Sequence, residues 1–167
     1  CGIDKNTYDR EKKTKIKTNK WEYDVPFLGY KYNGNSIMAQ IARVSLKYLE
    51  SDNKYRRKVS SIYQNRLSNN KNIFILPHNK RSSRHLFSIL VNSRTKLIEK
   101  LKENKINPGV HYKSILEFSY YKNKKFKTSK NLSVSKKFSK SILSLPLHTF
   151  LNRKQVHKIC NVINKYA

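Results

Sequence analysis

The sequence predicts an α/β fold in which helices cover a mostly antiparallel sheet. Short apolar runs rich in β-branched and aromatic residues, such as 73–76, are typical of buried strands. Longer segments carry apolar residues at three- and four-residue spacing, which is typical of amphipathic helices. The two kinds of segment alternate along 167 residues, a length that allows one domain with a modest core.

Two helices are predicted in the first half of the chain, after a loop and a short strand over 21–27. Asn35 or Ser36 can cap the first helix through a side-chain oxygen. The step Ser51-Asp52-Asn53 predicts a break, and a second helix then runs to about Leu67. One face of the first helix carries Ile37, Ile41, Val44 and Tyr48.

Strands and helices alternate in the second half of the chain. Strands are predicted over 72–76 and 85–91, with a polar loop between them, and a helix over 95–104 follows. The turn Asn107-Pro108-Gly109 leads into a short predicted strand. The remaining predicted elements are that strand over 110–112, a helix over 132–139, a strand over 142–147 and an amphipathic helix over 154–166.

The chain is strongly basic, with 37 Lys and Arg against 10 Asp and Glu and a formal charge of +27. Such a charge is compatible with binding to a polyanion. Of the basic residues 28 are Lys and 9 are Arg, they are spread along the chain, and Asn, Ile and Tyr are also abundant. This composition favours AT-rich codon usage as the cause. A stand-alone basic nucleic-acid-binding protein stays open as the alternative function.

The rest of the composition excludes further classes of protein. No apolar run approaches the roughly 18–20 residues that a membrane span needs. Cys1 and Cys160 lie at opposite ends of the sequence and form no Cys-x-x-Cys pair. We therefore expect no metal site, no disulfide framework, no membrane partner and a cytoplasmic location.

A ten-residue segment leading into the first helix carries the most specific motif. It runs from Leu28 to Ile37, and its central part, 29–33, reads Gly-Tyr-Lys-Tyr-Asn. This segment resembles a signature of the DegT/DnrJ/EryC1/StrS family of sugar aminotransferases. Each single match is weak, but the matches follow the family's order along nearly the whole chain. The others are Gly2-Ile3, Trp21–Val25, Arg56-Arg57, His85–Phe87, Pro108–Tyr112 and Ser144–His148.

The resemblance implies the C-terminal part of a pyridoxal-phosphate-dependent transferase of the aspartate aminotransferase type I fold. Such an enzyme is a homodimer that moves an amino group, usually from glutamate, to a nucleotide-linked keto sugar. The product would serve cell-surface polysaccharide or related sugar biosynthesis. The resemblance divides the chain into a remnant of the large cofactor-binding domain (1–34), connecting long helices (35–68) and the C-terminal small domain (69–167).

The cofactor of the family is held by a lysine through a Schiff base, which makes it an electron sink. In the family this lysine precedes the step that Gly2-Ile3 matches. None of the 28 lysines lies in the family's Lys-Asn-x-x-x-x-x-Glu-Gly-Gly context. We therefore expect no catalytic residue in this chain, no covalent cofactor bound by it alone and no activity of it alone. A shortened relative that pairs with a full-length enzyme is a further possibility.

The same matches supply the candidate binding residues. Asn33 matches the asparagine that reaches the cofactor phosphate across the dimer interface, and an amide just before a helix start suits an anion. Lys31 precedes it and is a further substrate-binding candidate. His111 and Tyr112 match the pair that lines the sugar pocket, where they can hydrogen-bond hydroxyl or diphosphate oxygens. No metal ligands are implied.

Several other positions carry structural expectations. His85 and His148 each lie in an apolar strand pattern and are expected to be core residues. Relatives have Gly-Ile where this chain has Lys105-Ile106, so Asn104 is expected to take the left-handed conformation that ends the helix. After Tyr112 the familiar Pro and second His are replaced by Lys113-Ser114-Ile115. That departure affects the substrate pocket rather than the fold.

We predict that any binding of this chain to nucleic acid is purely electrostatic. Binding at low salt should fall steeply between about 50 and 200 mM salt, because each phosphate contact releases a counterion. Fluorescence anisotropy with two unrelated DNA duplexes and one RNA strand measures this dependence. Binding that persists at physiological salt and prefers one sequence would support the basic nucleic-acid-binding protein instead.

Overall fold

The structure, a computed structural model, describes residues 23–30, 34–79, 81–123 and 131–167. The strands are β1 (Ile73–Ile75), β2 (Phe87–Val91) and β3 (Ile142–Leu145). A 3₁₀ turn spans Ile115–Glu117. Within these ranges, no helix has the length and apolar character needed to cross a membrane. The helices are α1 (Ser36–Leu46), α2 (Leu49–Leu67), α3 (Arg94–Glu103), α4 (Ser119–Lys122), α5 (Ser133–Ser141) and α6 (Arg153–Tyr166).

The three strands form one antiparallel sheet in the order β1-β2-β3. In the central strand Phe87 lies opposite Leu145, and Ile89 lies opposite both Leu143 of β3 and Ile75 of β1. The predicted α/β class with an antiparallel sheet is therefore confirmed.

Helices cover the sheet and complete a single apolar core. The helix α6 packs against α2 and α3, and α2 also contacts β1. The inward side chains of α6 follow helical spacing, and two of them, Val156 and Ile163, are fully buried. Tyr63 of α2 is also fully buried, its ring lies 5.0 Å from that of Phe87, and its hydroxyl donates a 2.8 Å hydrogen bond to the Pro146 carbonyl. This bond satisfies a polar group that would be costly to bury alone.

The strands β2 and β3 are also joined by side chains on the other face of the sheet. Ser88 and Ser144 are paired in register, both are buried, and their hydroxyl oxygens lie 2.9 Å apart in a hydrogen bond. Because a shift of one residue would turn these hydroxyls into the apolar core, the pair disfavours any other register.

The first helix is not buried against the rest of the described chain. None of its residues is buried, and Ile37, Met38, Ile41 and Val44 are 72%, 55%, 54% and 48% exposed. A regular apolar stripe exposed to this extent is unusual for a surface helix of a globular protein.

The break between the first two helices is not where the sequence predicts it. The helix α1 ends at Leu46 and α2 begins at Leu49, so the predicted break at Ser51-Asp52-Asn53 was wrong. The backbone amide of Asp52 instead bonds the Tyr48 carbonyl at 3.0 Å, as part of the first turn of α2. Acidic residues such as Asp52 and Glu50 are favourable in a first turn, because the amides there are unpaired and carry positive partial charge.

Two short predicted strands are not formed. Residues 23–27 contain no strand, and 21–22 lie outside the described residues. Residues 110–112 are also irregular, and only Gly109 forms an isolated bridge, to Ser144. The apolar alternation around Val110 reflects one buried side chain rather than a ladder of strand pairs.

The end of α3 also differs from the expectation. Asn104 has φ −88°, whereas Lys105 has φ +62° and so takes the left-handed conformation. The amide of Ile106 then bonds the Leu101 carbonyl at 2.9 Å, which is the closing bond of a Schellman motif. The lysine thus occupies the position that glycine fills at many helix ends.

We predict that Lys105→Gly stabilises the fold by about 1 kcal/mol, because glycine lacks the Cβ that makes left-handed backbone costly. The matched control is Lys96→Gly inside α3, which should destabilise by about 0.5–1 kcal/mol. Urea unfolding followed by circular dichroism measures both. A Lys105→Gly variant that unfolds at lower urea than the wild type would contradict this account.

Candidate functional site

The predicted site residues belong to two segments, one before α1 and one before the 3₁₀ turn. Lys31 and Asn33 lie outside the described residues. Asn35, two positions after Asn33, caps α1, since its side-chain oxygen accepts a 2.9 Å hydrogen bond from the Met38 amide. Of the two capping residues that the sequence allowed, the structure uses Asn35.

The segment that carries His111 is anchored to the edge of the sheet. The Gly109 amide donates a 2.9 Å hydrogen bond to the Ser144 carbonyl, and the Ser144 amide donates a 2.8 Å bond back to the Gly109 carbonyl. Val110 then turns into the core. These contacts fix the backbone on the N-terminal side of His111.

The His111 ring packs directly against Gly109. A Cβ at position 109 would lie only 2.4 Å from the Cε1 atom of His111 and 3.1 Å from its Nδ1 atom. Any side chain at position 109 would displace the ring, so this close approach requires glycine. The ring also meets that of Tyr112 edge to face, at 5.0 Å between centroids.

A shallow cavity of about 270 Å³ lies beside this ring. Its polar side chains include those of His85, Asn107 and His111, and none of the described residues that line it is acidic. Tyr112 is 66% exposed and does not line this cavity. Of the two predicted substrate residues, only His111 therefore contributes to the cavity, whereas Tyr112 faces solvent.

The structure corrects the expectation for the other two histidines. His85 and His148 are both exposed, so neither is a core residue. Strand β2 begins at Phe87, two residues after His85, which therefore lies on the loop before the strand. Sequence reasoning missed His85 as a cavity residue, because its apolar neighbours indicated a strand and only the fold brings it beside His111.

The position of His111 favours its neutral form. Partial burial lowers its pKa below the ordinary value, and the nearby His85 lowers that pKa further by charge repulsion. The Nδ1 atom is buried and has no hydrogen-bond partner among the described residues. The two imidazoles and the amide face no carboxylate among the described residues. They can donate hydrogen bonds to an anionic ligand, and they can both donate hydrogen bonds to and accept them from a hydroxyl-rich ligand.

A second anchor holds the chain after Tyr112. The Ser114 amide donates a 2.9 Å hydrogen bond to the Ser139 hydroxyl oxygen, and that hydroxyl donates a 2.7 Å bond to the Glu117 carboxylate. Ser139 is buried, and Arg94 donates to its carbonyl. His111 and Tyr112 therefore lie on a loop held at both ends.

The described residues do not by themselves fit a covalently held cofactor. No lysine within the described ranges is buried, whereas a Schiff-base lysine needs a site that excludes water. The described residues also contain no group of three or more His, Cys, Asp or Glu that could hold a metal ion.

Comparison with known proteins places this architecture in a family. The family model of the DegT/DnrJ/EryC1/StrS aminotransferases matches residues 2–164. The chain belongs to this family. Family members are sugar aminotransferases, and pyridoxal phosphate is their cofactor.

Two curated relatives are transaminases of nucleotide-linked amino sugars. One is the UDP-4-amino-4,6-dideoxy-N-acetyl-beta-L-altrosamine transaminase of Campylobacter jejuni, 31% identical over 83% of this chain. Another is the dTDP-3-amino-3,6-dideoxy-alpha-D-galactopyranose transaminase of Aneurinibacillus thermoaerophilus, 27% identical over 87% of this chain. The chain spans only 38% and 40% of the lengths of these two proteins.

Solved structures share the fold. Spr1654 from Streptococcus pneumoniae in its PLP form has a TM-score of 0.71 and 29% identity, over 87% of this chain and 38% of its own. Helicobacter pylori PseC, an aminotransferase involved in the biosynthesis of pseudoaminic acid, has a TM-score of 0.71 and 27% identity. It matches over 90% of this chain and 42% of its own. The expected transferase fold is therefore confirmed.

We predict that Gly109→Ala displaces the His111 ring and raises the pKa of His111 towards the ordinary value of histidine, because the ring loses its partly buried position. NMR titration of the histidine ring signals measures this pKa. The control is Gly34→Ala, since a Cβ at position 34 meets no atom of the described residues within 4 Å. An unchanged His111 titration in Gly109→Ala would refute the packing argument.

Proposed function

We propose that this chain is the C-terminal part of a pyridoxal-phosphate-dependent enzyme that aminates a nucleotide-linked keto sugar. Glutamate serves as the amino donor, and the product enters cell-surface polysaccharide or related sugar biosynthesis. The proposal is supported by the family match over nearly the whole chain and by two relatives that are transaminases of UDP- and dTDP-linked sugars.

The observation that carries the substrate class is the cavity between His111 and His85. It offers two imidazoles and the Asn107 amide, and its described lining contains no carboxylate that would repel a phosphate. A neutral His111 can donate to a diphosphate or hydroxyl oxygen, and a bound anion would raise its pKa and favour the stronger charged hydrogen bond. Tyr112 is exposed beside this ring and presents its hydroxyl to a ligand that extends beyond the cavity.

The cofactor side of the proposal rests on Asn33 and on a preceding domain. Asn33 donates to the cofactor phosphate of the other subunit in a homodimer, and Lys31 assists in binding the substrate. When bound, pyridoxal phosphate supplies the electron sink for amino transfer. The lysine that holds it belongs to the large domain, so residues 1–167 alone form no borohydride-reducible adduct and are inactive.

The exposed apolar face of α1 supports this division into domains. Residues 1–34 belong to the large domain, 35–68 form the connecting helices and 69–167 form the small domain. The core that the small domain shares with α2 is complete without α1, whereas Ile37 and Ile41 are left exposed. The large domain covers this face in the complete enzyme.

The test is amino transfer by the complete gene product, supplied with pyridoxal phosphate, glutamate and UDP- or dTDP-linked keto sugars. We expect formation of 2-oxoglutarate that depends on the sugar nucleotide. His111→Ala should raise the KM for that substrate about tenfold or more with less effect on kcat, because it removes a hydrogen bond to a charged group.

The matched control is His148→Ala, which removes an exposed histidine that does not line the cavity. It should leave both kinetic constants near the wild-type values. An absence of sugar-dependent 2-oxoglutarate formation would reject the proposed function. Equal effects of the two histidine substitutions would reject the assigned role of His111 alone.

A further inference from the structure

We propose that Asp24 is a positioning residue that joins the two segments carrying the predicted ligand residues. Asp24 lies in the segment that leads to Lys31 and Asn33, and its carboxylate holds the chain that follows His111 and Tyr112. The functional meaning of this contact rests on the function proposed above, because that function assigns roles to the residues that Asp24 holds in place.

The Asp24 carboxylate accepts several hydrogen bonds. The Ser119 amide donates to Oδ1 at 2.7 Å, the Ser119 hydroxyl donates to Oδ2, and the Val25 amide donates to Oδ1 at 2.8 Å. Ser119 begins α4, so the carboxylate receives an amide at the end of a helical turn that would otherwise lack a partner. Residues 24 and 119 are 95 positions apart in the sequence, so this contact is tertiary.

Contacts on both sides of Asp24 reinforce the junction. The Tyr120 amide donates a 2.9 Å hydrogen bond to the Val25 carbonyl. The Tyr23 ring stacks on that of Phe118 at 5.3 Å between centroids, and Phe118 is only 5% exposed. Three consecutive residues of one segment thus meet three consecutive residues of the other.

A hydrogen bond and neighbouring positive charges favour the ionised form of the Asp24 carboxylate. The hydrogen bond donated by the Ser119 backbone amide is the main cause that lowers the pKa of Asp24, and Lys113 and Lys122 add a smaller lowering effect. The Lys113 ammonium also lies 5.1 Å from the centre of the Phe118 ring. Lys113 directly follows Tyr112, so the charge pattern extends to the candidate substrate residues.

The junction supplies a third anchor for the candidate loop. Its first anchor is the bridge of Gly109 to β3, and its second is the pair of hydrogen bonds at Ser139. Both of these tie the loop to the small domain. The contact at Asp24 instead ties it to the described segment 23–30, which precedes Lys31 and Asn33 in the sequence, so one carboxylate joins the loop to that segment.

The test is residue-resolved amide exchange in the Asp24→Ala variant of this chain. We expect the amides of Ser119 and Tyr120 to exchange about tenfold faster or more. The Ser119 amide loses its acceptor, the Asp24 carboxylate, and the Tyr120 amide is freed from the Val25 carbonyl when the junction opens. We also expect shifted amide signals at Gly34 and Asn35 and at Tyr112 and Lys113. Amides of β2, such as that of Ile89, should keep their protection and so show that the fold is intact.

Two further variants separate positioning from a general loss of structure. Asp24→Asn keeps an acceptor oxygen and should restore much of the protection at Ser119. Asp52→Ala removes a carboxylate from the first turn of α2 and should change none of these signals. In the complete enzyme, Asp24→Ala should raise the KM of the sugar nucleotide more than it lowers kcat, and Asp24→Asn should reverse most of that rise.

The proposal is overturned if exchange at Ser119 and Tyr120 is unchanged in Asp24→Ala. It is also overturned if the signals at 34–35 and 112–113 stay fixed while Ser119 is released, because Asp24 would then only cap α4. Failure of the complete wild-type protein to transfer an amino group would reject the proposed function. The exchange experiment would still decide whether Asp24 joins the two segments.

Discussion

The antiparallel pairing of β2 with β3 sets Ser88 directly opposite Ser144, and this register constrains the rest of the molecule. On one face it aligns Phe87 and Ile89 with the apolar side chains of the covering helices. On the other face it buries two hydroxyl groups that satisfy each other at 2.9 Å. Apolar burial supplies the stabilisation, whereas the hydroxyl pair selects one register among those that burial alone would allow.

The same register determines where the candidate site lies. The backbone of Ser144 forms two hydrogen bonds with Gly109, so the loop that carries His111 is attached to the outer edge of β3. Gly109 lets the ring approach the backbone, and partial burial then lowers the pKa of His111. A packing constraint at one glycine thus places the ring of a candidate ligand residue two positions away where burial lowers its pKa.

The chain combines a well-buried apolar core with an exposed apolar helix face. The sheet and the helices α2, α3 and α6 share one buried cluster, whereas the apolar stripe of α1 stays exposed. Membership of the aminotransferase family, in which relatives are more than twice as long as the matched segment, gives this contrast a physical reason. An apolar face of this kind is stable when it packs on another domain, and we propose the large domain for that role.

The sequence by itself determined the fold class, the family and most of the helices, because apolar periodicity and ordered motifs are local signals. It located α6 and β2 closely and named His111 and Tyr112 as candidate residues, although it predicted a strand over 110–112 where the structure has a loop. Only the tertiary structure placed His85 beside His111, left His148 exposed, assigned the left-handed conformation to Lys105 and brought Asp24 to Ser119. Each of these depends on contacts between distant segments or on the balance of bonds at a helix end, and neither is encoded in the spacing of residues along the chain.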